Sequence, residues 1–156
     1  MELLELKKKA NEIRCLILQT VYEAQSGHIG GSLSAVDILT CLYGQVMRVD
    51  SKAPRWPGRD RFVMSKGHAT PLYYSTLAEF GFFPKEDLKT FRKLGSYLQG
   101  HPNCNDTPGV DMSTGSLGQG ISAAVGMALG LKLQKIPARV YVLLGDGELQ
   151  EGQVWE

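Results

Sequence analysis

Cysteine is scarce in this sequence. It occurs three times in 156 residues, at Cys15, Cys41 and Cys104. That is an odd number at wide spacing, so neither a disulfide framework nor a cysteine metal site is encoded. An excess of charge of one sign is also missing. The 17 basic and 16 acidic side chains leave a formal net charge of +1, without the one-sided basic excess that nucleic-acid binding needs. Lys7, Lys8 and Lys9 form a short basic run inside a helical pattern and read as a solvated face. No apolar run approaches the roughly 20 residues that span a bilayer. The charged start, Met1 to Ala10, lacks the apolar stretch and small-residue cleavage site of a secretory signal. Internal repeats, low-complexity segments and linkers are absent as well. These absences lead to the expectation of one globular domain in a reducing cytoplasm, without nucleic-acid or membrane partners.

What is present is helical periodicity broken by glycine. Leu6, Ala10, Ile13, Ile17, Thr20 or Val21, and Ala24 recur at spacings of three and four, which predicts an amphipathic helix from about Leu4 to Ala24. Glycines at 27, 30 and 31 break it. Ser34 followed by Asp37 reads as a capping box for a second helix whose apolar face is Val36, Leu39, Tyr43 and Val46. A short strand is expected over Arg61–Met64 and a third helix over Pro71–Phe80. A fourth helix opens at Pro84 and runs to about Leu94, and a fifth spans Ile121–Lys135. Val140 to Leu144 is a continuous apolar run, as in a strand buried on both faces of a parallel sheet. Helices alternating with buried strands predict an α/β fold.

The residues suited to chemistry lie in the breaks. Leu144-Gly145-Asp146-Gly147-Glu148 delivers an aspartate to the C-terminal end of a strand, the edge at which open α/β sheets bind ligands. Glycines let the backbone close on a diphosphate, and the carboxylate can hold a hard cation. A polar turn is the plainer reading of the same residues. The only three histidines, His28, His68 and His101, each follow a glycine outside the predicted helices. That pattern fits close approach to a shared ligand, as donors or proton carriers. Asp111 to Gly120 opens the fifth helix with exposed amides. Within it, Gly118-Gln119-Gly120-Ile121-Ser122-Ala123 also fits a dinucleotide fingerprint, although Val110–Thr114 is a poor first strand for one. Gly126 and Gly130 read as close packing against a neighbouring element.

Taken in order, Ser26 to Gly31, Asp60 to His68, Gly100-His101-Pro102, Ser113 to Gly120 and Gly145 to Gly152 resemble the transketolase family over about Ile13 to Glu156. The resemblance is greatest to transketolases encoded as two halves. It implies a thiamine-diphosphate-binding α/β fold, a parallel sheet with helices on both faces. Residues 1–156 would then be the N-terminal portion of a single diphosphate-binding domain, incomplete at its C-terminus. The implied activity is transfer of a two-carbon ketol unit from a ketose phosphate to an aldose phosphate.

Residue by residue, the resemblance implies that Asp146 binds Mg²⁺ or a similar cation and that Gly145 and Gly147 belong to the cofactor turn. His68 would contact the diphosphate, Gly115 the aminopyrimidine, and Leu117 the cofactor rings. His28 and His101, with His68, would be the catalytic histidines, and Glu151 would lie near a dimer interface. The implied partners are sugar phosphates and a pyrimidine-binding C-terminal half or subunit, in a homodimer or a heterotetramer of halves. The family's metal-completing asparagine, a further substrate histidine and the cofactor-activating glutamate are not among these residues. The chain alone is therefore expected to be inactive. With Val140 to Leu144 beside missing sheet neighbours, it is also expected to be marginally stable, with low solubility or oligomers. A deoxyxylulose-phosphate synthase-like enzyme and a non-catalytic remnant are the alternatives. Gly118-Gln119-Gly120 and Glu148 to Gly152 favour transketolase over the synthase.

Overall fold

The structure, a computed structural model, describes residues 1–156. The predicted first helix is α1, Leu3–Ala24, which buries Leu6, Ala10, Ile13, Ile17, Thr20 and Val21. It ends where Gln25 turns left-handed at φ 49°. The glycine break is not wholly loop, because α2, Ile29–Leu33, forms within it with His28 at its N-cap. The expected capping box does not form. α3, Val36–Cys41, has Ala35 at its N-cap. The Ser34 hydroxyl instead bonds back to the Gly31 carbonyl, and Asp37 pairs with Arg14 on α1 at 2.6 Å. A π-helical turn, Leu42–Val46, extends α3 and buries Tyr43.

β1 is Arg61–Met64 and α4 is Thr70–Glu79, buried along nearly its whole length. The predicted fourth helix shortens to a 3-10 turn, Lys85–Thr90. Phe91 leaves helical geometry and Arg92 takes φ 61°, which ends the turn before Leu94. α5 is Gly120–Leu133 and β2 is Val140–Leu143. A 3-10 turn, Glu148–Gln150, and the short α6, Gly152–Trp155, follow.

The two strands pair in parallel, Arg61 with Val140 through Met64 with Leu143. Phe62, Met64, Tyr141 and Leu143 face the main core with α1, α3 and α4. Val63 and Val142 alternate to the other side, where α5 lies against both strands. Helices therefore cover both faces, as expected. The expectation for β2 itself needs correcting. All four of its residues are only half-buried, whereas β1, with the same single strand partner, is buried from Phe62 to Met64.

Asp60 fastens the start of both strands. It accepts the Arg48 and Arg139 backbone N–H groups at 2.9 and 2.8 Å and the Arg48 guanidinium at 3.0 Å. Lys9 departs from the predicted solvated face, since it pairs with buried Glu79 at 2.6 Å. No side chain stands within 4 Å of a Cβ built on Gly126 or Gly130, so the expected close packing is not made within this chain. No helix is long and apolar enough to cross a membrane.

Candidate functional site

Parallel pairing brings the C-terminal ends of β1 and β2 to one edge. Ser65-Lys66-Gly67-His68 leaves β1 there and Gly145-Asp146-Gly147 leaves β2. Gly67 allows the loop after β1 to press on the loop before α5. A Cβ at that position would stand 2.7 Å from the Thr114 carbonyl and 2.8 Å from the Gly115 nitrogen. The Thr114 hydroxyl closes the same contact by donating to the Met64 carbonyl at 2.6 Å.

The histidines converge on this edge. The rings of His28 and His68 meet edge to face with centroids 4.9 Å apart. A Cβ on Gly31 would lie 3.4 Å from His68 Nε2, an ordinary van der Waals contact, so the His68 ring packs against the start of α2. His101 lies against Gly115, where a Cβ would come within 3.1 Å of its Cδ2. Thr70 and Tyr74 on α4 hold the His101 backbone by donating to the Gly100 and His101 carbonyls at 3.0 and 3.2 Å. Burial, then the nearby His28, Lys66 and His101, keep the His68 imidazole below its ordinary pKa, with Glu148 pulling the other way. His68 is therefore neutral at pH 7.

Asp146 and Gly147 are exposed. No backbone hydrogen bond uses the N–H of either as donor, and open space surrounds Gly147. The Asp146 carboxylate makes no ion pair within the chain, and no group of three metal-binding side chains exists. Leu117 is 39% exposed. A cleft lined by His101, Thr114, Gly115, Ser116 and Gln119 opens beside it.

Three residues of this edge were not singled out from the sequence. Glu148 is only 2% exposed and accepts bonds from Ser65 Oγ, Gly118 N–H and Gly145 N–H. Lys66 is 7% exposed and donates to the Gly31 carbonyl at 2.7 Å and the Ser34 hydroxyl at 3.2 Å. Burial lowers its pKa, and the nearness of Asp146 and Glu148 partly restores it. Arg92 reaches Ser26, two residues before His28, at 2.5 Å. Most of these partners are distant in sequence, so no local pattern marked them. The dinucleotide reading fails on the same geometry. Val110–Thr114 is not a strand, and the Gly118 amide is taken by Glu148.

Fold and edge together define an open α/β domain in which free amides, a carboxylate and imidazoles form a cradle at the C-terminal edge of the parallel strands. Residues 6–156 match the family described as "Transketolase, thiamine diphosphate binding domain", and the chain belongs to that family. It is 48% identical over 153 residues to the 6-deoxy-6-sulfo-D-fructose transketolase subunit SqwG of Clostridium sp. (strain MSTE9), covering 98% of this chain and 56% of that one. Identity to an apulose-4-phosphate transketolase subunit of Phocaeicola vulgatus is 46% over 155 residues, with 99% and 54% covered. Homo sapiens transketolase is 48% identical over 152 residues, 97% of this chain and 24% of its own length. Among solved structures, the transketolase of Campylobacter jejuni superposes with a TM-score of 0.90 at 41% identity, covering 99% of this chain and 26% of that one. The chain thus spans about half the length of the subunit relatives and about a quarter of the longer ones.

The edge fits the cofactor in the family's description. Two amides without acceptors, a buried lysine and clustered imidazoles suit a diphosphate. One free carboxylate suits a small divalent cation that takes its other oxygens from phosphate and water.

Proposed function

We propose that this chain supplies the diphosphate side of a transketolase active site. The whole protein would transfer a two-carbon ketol unit from a ketose phosphate to an aldose phosphate. The observation that carries the reading is the pair of acceptor-free amides at Asp146 and Gly147, beside a free carboxylate at the C-terminal edge of the parallel strands.

When bound, thiamine diphosphate supplies a ring carbanion and an electron sink. The protein supplies the rest. Asp146 would hold a divalent cation, Mg²⁺ for example, against the diphosphate. The amides of Asp146 and Gly147 would bond its oxygens, with Gly145 shaping their turn. Neutral His68 would donate to the diphosphate on one side and face His28 on the other. Gly115 would meet the aminopyrimidine through its backbone, and Leu117 would exclude water from the ring. His28 and His101 would bind ketose hydroxyls and carry the proton released as the carbon–carbon bond breaks.

The implied assembly pairs this domain with a pyrimidine-binding half, fused or separate, in a dimer or a heterotetramer of halves. A cytoplasmic location is part of the same proposal, supported by three cysteines that pair with nothing within the chain.

The test is to take the complete diphosphate-binding domain that carries this chain, combine it with its pyrimidine-binding half, thiamine diphosphate and Mg²⁺, and assay ketol transfer between sugar phosphates. Transfer that is lost in Asp146→Ala, and only partly lost in His101→Ala, is expected. An assembled protein that binds the cofactor without moving a ketol unit sinks the reading.

A further inference from the structure

Behind the cradle stands a buried carboxylate to which the reading above gives no task. Glu148 is 2% exposed, yet both of its oxygens are satisfied. Oε1 accepts the Ser65 hydroxyl at 2.5 Å and the Gly118 amide at 3.0 Å. Oε2 accepts the Gly145 amide at 2.9 Å. A buried carboxylate is tolerated only when its lone pairs are met in this way. Bonds to an ionised acceptor are also stronger than neutral ones.

The three donors come from three separate segments. Ser65 ends β1 and lies three residues before His68. Gly118, held at φ 83°, follows Gly115 and Leu117. Gly145 ends β2 and precedes Asp146. Every segment that contributes to the cradle, apart from the two that carry His28 and His101, is tied to this one side chain. Gly145 donates inward to Glu148, and the two amides that follow it in the turn have no acceptor within the chain.

We propose that Glu148 is a positioning residue that fixes the 145–147 turn and the 115–118 turn in register for a diphosphate and its cation. This rests on the cofactor reading of the site. Its charge works against that purpose, since a carboxylate near a diphosphate repels it. The opposition makes the role testable. If Glu148 mattered only as a charge, neutralising it would tighten anion binding. If it positions the turn, neutralising it weakens binding.

Glu148→Gln separates the two. The amide keeps the size, and its oxygen can still accept from Ser65 and Gly118. Its nitrogen then faces the Gly145 N–H, and two donors cannot bond. The first readout is backbone amide exchange on the unliganded chain. Gly145 exchanges faster in the variant while Gly118 stays protected. The second is calorimetric titration with Mg²⁺ and inorganic diphosphate, in which binding weakens about tenfold or more. Unchanged or tighter binding, or unaltered exchange at Gly145, overturns the proposal.

If Glu148→Gln does not fold, Ser65→Ala tests the same tie from the other end. Faster exchange at Gly118 and weaker diphosphate binding are expected there, and neither changing overturns the proposal. Wild-type chain that takes up no diphosphate at all would instead count against the cofactor reading. The exchange experiment would still report on the geometry.

Discussion

Gly120 and Ser65 meet so closely that a Cβ built on the glycine would stand 2.7 Å from the Ser65 Cβ and 2.8 Å from its Cα. The start of α5 is therefore seated on the end of β1 with no room for a methyl group. A clash with a Cα cannot be relieved by turning a side chain.

Gly120→Ala is thus expected to destabilise the domain by about 1–3 kcal/mol, the usual range for overpacking a tight core. Because Ser65 also bonds Glu148, the shift should spread to the 145–147 turn. Urea unfolding of the variant beside the parent checks it, and a midpoint unchanged within error would contradict the contact.

Asp60 is one carboxylate whose pairing stabilises the fold against acid. Burial pushes its carboxyl pKa up, but the bonds from the Arg48 side chain and from the Arg48 and Arg139 amides outweigh burial and leave it below the usual carboxylate value. The folded state thus holds its proton less tightly than the unfolded one. The stabilisation is complete above the ordinary carboxylate pKa of about 4. It is lost as the pH falls from there through the folded value. Asp60→Asn should melt lower at pH 7 and show a flatter decline below about pH 4. Parallel acid melting curves for parent and variant would refute the assignment.

His68 has the opposite relation to charge. Its pKa is lowered in the folded state, so the unfolded chain takes up the proton first. The neutral ring's contribution is complete above the ordinary imidazole value of about 6.5. It declines as the pH drops from there toward the folded value. In an NMR titration the His68 ring should titrate below a free imidazole. Mg²⁺ and diphosphate should move it upward, because an adjacent anion favours imidazolium. A free-imidazole midpoint that ignores diphosphate would remove His68 from the site.

α5 carries apolar side chains on its open face. Val125, Leu129 and Leu133 are 55, 57 and 84% exposed. Leu133→Glu should alter the chain's own stability by no more than about 0.5 kcal/mol. It should reduce self-association, which light scattering would follow. A large fall in melting temperature would mean that the side chain is packed within the fold.

Much of the architecture was legible because it is local. The three-and-four spacing of Leu6, Ala10, Ile13 and Ile17 set α1 almost to the residue, and the run Arg61–Met64 set β1. Errors arose where distant partners decide. Ser34 and Asp37 have the letters of a capping box, but Asp37 is claimed by Arg14 on another helix. Val140–Leu143 has the composition of a strand covered on both faces, whereas its burial depends on what the rest of the chain packs over it. At the site, the three histidines and Asp146 stood out through their glycines and their order along the chain. Glu148 and Lys66 lay in full view inside the same stretches. Apart from the Gly145 bond to Glu148, three positions away, their partners lie 30 to 83 positions away, which no local pattern encodes.

The Asp60 bond to the Arg139 amide spans 79 positions, and that number has a kinetic meaning. Closing so long a loop before any strand contact rewards it makes parallel pairing a slow event in folding. α1 and α4 can find each other early, while the cradle exists only after β2 has docked. A ligand that binds this edge therefore recognises the finished chain alone, and by mass action it draws late intermediates toward completion.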